Sequence, residues 1–74
     1  MSIGEKLLED VGFKKKDSKK YENKSGIAII FSPIEDAVII SDPSGYNIII
    51  TGREVSAIDA RFREVRYDLQ RESL

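Results

Sequence analysis

Two pairs of adjacent carboxylates, Glu9 with Asp10 and Glu35 with Asp36, and a lysine cluster at Lys14, Lys15, Lys16, Lys19, Lys20 and Lys24 are the side chains whose type and crowding suit chemistry. A carboxylate pair can help hold a divalent cation or share a proton in acid–base catalysis. Neighbours on a helix or in a turn point in different directions, however, and no third oxygen ligand stands at a recognisable spacing. The chain has no His and no Cys. That removes the commonest general base, the thiolate nucleophile and the soft metal ligands. Glycine-rich phosphate loops of the Walker or dinucleotide type are also missing from the sequence. The expectation is a non-enzymatic protein with no cofactor, no metal and no small-molecule substrate.

The lysines suit a different chemistry, the neutralisation of phosphate. Against Asp17 and Glu22, the six lysines between positions 14 and 24 give a local charge of +4 in a chain whose net charge is −1. Tyr21 lies among them, and an aromatic ring beside several lysines could stack on a base while the cations meet the backbone. A near-neutral whole chain argues against a protein whose affinity comes mainly from phosphate contacts. Nucleic-acid binding through Lys14, Lys15, Lys16, Lys19, Lys20, Tyr21 and Lys24 is therefore the alternative reading, and a solvated loop is the simpler one.

A third set recurs at helical spacing near the C-terminus: Arg53, Ala57, Ala60, Glu64, Tyr67 and Arg71. Small residues, an aromatic and arginines on one stripe have the composition enriched at protein interfaces. An Asp59–Arg63 pair at i, i+4 would fit an ordinary salt-bridged surface equally well.

These residues must be carried by elements that the sequence also announces. Ser2 and Glu5 form a Ser-x-x-Glu capping box for a helix from about Ile3 to Val11, with Gly12 at its C-terminal cap. The segment "KKKDSKKYENKSG" lacks a sustained period and reads as an exposed connection, with short strand pairing around Tyr21 left open. Three strands follow at Ile27 to Phe31, Ala37 to Ser41 and Tyr46 to Ile50, rich in β-branched residues. "DPSG" predicts a three-residue loop with a type I turn and a G1 bulge at Gly45, and "PIED" a four-residue loop. Those turns pair Ile40 with Ile48, Ile39 with Ile49, Phe31 with Val38 and Ile30 with Ile39. A second capping box, "TGRE", opens the last helix at Thr51, whose Val55, Ile58, Phe62, Val65 and Leu69 repeat at spacings of 3, 4, 3 and 4.

The fold class expected is α+β in the order αβββα, a three-stranded antiparallel meander packed against a long C-terminal helix and a short N-terminal helix, as one domain over residues 1–74. One sheet face, with Ile27, Ile29, Phe31, Val38, Ile40, Tyr46, Ile48 and Ile50, should form the core with the helix stripe. The other carries a row of Ile30, Ile39 and Ile49 across all three strands. Either the first helix covers that row, or both helices share the opposite face and the row stays open as an interaction patch.

In layout this order resembles the double-stranded RNA-binding domain, a family marked by a lysine-rich start to its second helix. The matching stretch here reads "GREVSAIDA", with Arg53 beside Glu54. The resemblance is one of topology, and no residue role is carried over from it.

With 74 residues and no Cys, a small core lacks covalent reinforcement, and association with itself or a partner is the usual supplement. The charged N-terminus "MSIGEKLLEDVG" has no signal-peptide pattern and no apolar run is long enough to span a bilayer, so a cytoplasmic protein without a membrane role is expected. Taken together, the sequence predicts a small adaptor or inhibitor-like protein of the kind carried by phages and mobile elements. It would bind a protein partner or itself, as a homodimer, through Ile30, Ile39 and Ile49 or through Arg53, Tyr67 and Arg71.

Overall fold

Both predicted capping boxes form. In this computed structural model, which describes the backbone of residues 2–72 and the side chains of residues 2–69, the Ser2 hydroxyl accepts from the Glu5 amide at 3.1 Å. The Glu5 carboxylate in turn accepts from the Ser2 amide, opening helix α1 (Ile3–Asp10). The helix ends as glycine at this position demands. Gly12 takes φ +100°, its amide donates to the Glu9 carbonyl, and the Phe13 amide donates to the Leu8 carbonyl at 2.9 Å, the paired bonds of a Schellman motif.

Five strands follow: β1 (Lys14–Asp17), β2 (Lys20–Glu22), β3 (Ala28–Ser32), β4 (Ala37–Ser41) and β5 (Asn47–Thr51). They form one antiparallel meander in the order β1-β2-β3-β4-β5. The α+β class stands, while the three-strand count is corrected to five. The additional pair, β1 and β2, lies in the segment expected to be a connection, and the layout therefore departs from αβββα. The polar sequence concealed it because β1 is an edge strand, where lysines suit solvent and discourage pairing with another chain. The other boundaries move by one residue: β3 and β5 start and end one position later than expected, and α1 stops at Asp10.

The registers are those set by the turns. Ile29 pairs with Ile40, Ile30 with Ile39 and Phe31 with Val38, and Ile39 pairs with Ile49 and Ile40 with Ile48. At "DPSG" the Gly45 amide donates to the Asp42 carbonyl at 3.1 Å, Gly45 has φ +96°, and the Asp42 carboxylate accepts from the amides of Ser44 and Tyr46. The Ser44 hydroxyl on this carboxylate, with those amides, holds the Asp42 pKa below its usual range. The same device recurs at "NKSG". There the Gly26 amide donates to the Asn23 carbonyl, the Asn23 side chain accepts from the Ile27 amide at 2.9 Å, and Gly26 has φ +84°. This second copy closes the β2–β3 hairpin.

The two turns touch at one end of the sheet. A Cβ added to Gly26 would stand 2.8 Å from Cγ of Pro43, and a side chain is also unfavourable at that positive φ. Gly26→Ala is expected to cost about 2 kcal/mol, read as a lower urea midpoint with an unchanged m-value; wild-type stability would show that the turns can separate freely.

The final helix, α2 (Gly52–Glu72), starts with no intervening loop. Thr51 is at once the last residue of β5 and the cap. Its hydroxyl accepts from the Glu54 amide at 3.1 Å, and Glu54 accepts from the Thr51 amide at 3.0 Å. The Thr51 amide on this carboxylate, with the Thr51 hydroxyl beside it, lowers the Glu54 pKa.

Candidate interaction groove

Pairing parity decides which side chains share a face. Lys15 pairs with Tyr21 and Tyr21 with Ile29, so these stand on the face of Phe31, Val38, Ile40 and Ile50. Helix α1 lies on that face too: the Lys15 ammonium meets Glu5 at 3.3 Å, and Leu8 lines a recess with Tyr21 and Phe31. The lysine hydrogen bond, with the Ser2 amide, holds the Glu5 carboxyl below the ordinary glutamate range. Tyr21 is 3% exposed and meets Phe31 edge to face, with ring centroids 6.0 Å apart. The sequence placed this residue in an exposed connection, with a nucleic-acid surface as the alternative reading. It is instead the one large buried side chain among the described residues, alongside Ala28 and Ala37.

Helix α2 begins over the same inner face but does not close it. Its apolar stripe, expected to be core, is open: Val55, Ile58, Phe62, Val65 and Leu69 are between 39% and 64% exposed. Geometry explains the correction. A helix of 21 residues extends about 31 Å, whereas the five-residue strands run about 17 Å, so the sheet is too short to cover the whole stripe. Its close backbone neighbours are in β5, and the molecule measures 43 Å along its longest axis.

The result is a groove of about 480 Å³ on the inner face. The sheet supplies Ile29, Phe31, Val38, Ile40 and Ile50 as its floor. Leu8 bounds one side, and Val55, Ile58, Asp59 and Phe62 bound the other. Apart from Asp59 these side chains are apolar.

The outer row is divided. With both helices on the inner face, α1 does not cover Ile30, Ile39 and Ile49. Ile30 and Ile39 are half-buried by their neighbours in the sheet, and Ile49 is exposed. Lys20, paired with Ile30, lines a shallow recess with Ile30 and Ile39 on this outer face.

The lysines are dispersed rather than gathered. Lys15 points to the inner face, bound to Glu5. Lys14 and Lys20 share the outer face by pairing parity, and Lys16 lies at the bulge between Lys15 and Asp17. Lys19 lies in the β1–β2 turn, its amide held by Asp17 at 2.8 Å, and Lys24 lies in the "NKSG" turn. Tyr21, the aromatic within this segment, is buried and not open to a base.

On the outside of α2, Arg53 and Tyr67 are exposed and Glu64 binds Arg61 at 3.0 Å. The side chain of Arg71 lies outside the described residues. The expected Asp59–Arg63 pair is present at 3.1 Å, and Arg66 covers the Phe62 ring at 4.7 Å. Among the described residues no helix is long and apolar enough to cross a membrane. Set against known proteins, the chain matches no family model, no curated protein and no solved structure.

Proposed function

We propose that this is a non-enzymatic protein-binding module whose working surface is the inner groove together with the apolar stripe of α2. The observation that carries the reading is the open stripe. A chain of this mass folded compactly would expose about 4,600 Å², yet this one exposes 6238 Å². The radius of gyration tells the same story, 14.5 Å against about 11 Å for a compact chain of this length. Contiguous apolar surface of this kind is costly to leave in water and marks a contact with another macromolecule. An apolar groove flanked by carboxylates and arginines suits a protein helix better than nucleic acid or a small polar ligand.

Photo-crosslinking tests this directly. With benzoylphenylalanine in place of Phe62, cells that make the protein should yield a discrete protein adduct. The same probe at Ala60, on the outer stripe, should yield none. An adduct at Ala60 alone would move the surface to the outer stripe, and no adduct at Phe62 would overturn the reading.

A further inference from the structure

We propose that the groove is filled by a second copy of this chain, whose α2 lies antiparallel against the first; the inference rests on the groove being a protein-binding surface. Three features of the molecule converge on it. The spacing of Val55, Ile58, Phe62, Val65 and Leu69 is a strict heptad seam, with Val55, Phe62 and Leu69 at a and Ile58 and Val65 at d. A helix packed on a sheet usually shows a wider apolar face, whereas a two-position seam is what another helix requires.

The charges beside the seam then select one geometry. The e positions are Asp59 and Arg66, and the g positions are Glu54, Arg61 and Asp68. A parallel pair sets each g against the next e of its partner, which opposes Glu54 to Asp59 and Arg61 to Arg66, like charges at every contact. An antiparallel pair sets e against e and g against g. When Phe62 of one copy layers with Val65 of the other, and Ile58 with Leu69, Asp59 faces Arg66 and Arg61 faces Asp68, on both sides of the twofold axis. A slip of one heptad in one direction sets Asp59 against Asp59 and Arg61 against Arg61. In the other it sets Arg66 against Arg66 and Asp68 against Asp68. One register alone makes every flanking pair complementary.

The areas agree. This register sets Val65 of the second copy against Phe62 and Leu69 against Ile58, the two residues of α2 that bound the first copy's groove, and the twofold axis repeats the contact. The surface in excess of a compact chain is roughly 1,600 Å² per copy. A standard interface buries about 800 Å² per partner and obligate homodimers bury more, so the open area is what a permanent dimer needs.

The chain's lack of cysteine allows a clean test. Purified wild type should sediment as a dimer. Equal amounts of Ile58→Cys and Leu69→Cys chains, mixed and oxidised, should give the mixed disulfide, while Ile58→Cys alone gives none. Arg61→Asp should weaken the dimer about tenfold, by setting like charges against Asp68, and Arg61→Asp with Asp68→Arg should restore it. A homodisulfide through position 58, or a tighter dimer from Arg61→Asp, would overturn the antiparallel geometry. A monomer at all concentrations would overturn the second copy as occupant. In that last case a Phe62 photo-adduct with a different protein would leave the groove as a binding surface, and no adduct would remove both.

Discussion

Tyr21→Ala should unfold much of the chain under conditions where the wild type is folded. Tyr21 is 3% exposed and has its ring against Phe31, beside Leu8 of α1. Removing a buried aromatic ring costs about 3–5 kcal/mol, and small domains hold only about 5–15 kcal/mol in total. Little else is buried to compensate, since Ala28 and Ala37 are the other buried apolar side chains among the described residues. Urea denaturation followed by circular dichroism, at one fixed protein concentration because association adds to stability, measures the loss. Tyr21→Phe keeps the ring and should stay within about 1 kcal/mol of wild type. A Tyr21→Ala protein with an unchanged midpoint would mean that the β1–β2 hairpin is not anchored through this side chain.

Phe62→Glu should have the opposite signature, intact folding with lost association. Phe62 is 56% exposed in the single chain, so its removal leaves no cavity within one copy. Glutamate is a good helix former and can pair at i, i+4 with Arg66, which now covers the ring. In the antiparallel pair the same change puts a carboxylate into each of the two central layers against Val65 of the other copy. An apolar contact is lost and an unpaired charge is buried, twice per dimer. Dissociation should strengthen by at least about a hundredfold, a loss of about 3 kcal/mol, visible by sedimentation equilibrium with an unchanged helical spectrum. A dimer of wild-type affinity would place the contact away from the seam.

These two residues also show where reading the chain reaches its limit. Both capping boxes, the Gly12 cap, the "DPSG" turn and the β3–β4–β5 registers were legible because each is decided within a few residues, by side chains that satisfy nearby backbone groups and by a period of two. The "NKSG" turn was equally legible: Asn23 and Gly26 stand as Asp42 and Gly45 do, and together with Tyr21 between Lys20 and Glu22 they announce the missing hairpin. The lysines of β1 hid it, since an exposed edge strand has no apolar period to display. What covers the seam of α2 was of another kind. The repeat of Val55, Ile58, Phe62 and Val65 marks one apolar face of the helix without fixing what covers it, although its narrow width favours another helix over a sheet. The choice between these depends on how far α2 outruns the strands it starts from, 21 residues against five. Likewise the side of the sheet taken by α1 shows in Lys15 meeting Glu5 and in Leu8 beside Tyr21 and Phe31, contacts between segments that no local pattern connects. Local chemistry wrote the elements into the chain, and the long-range geometry of their packing decided which apolar face was left open.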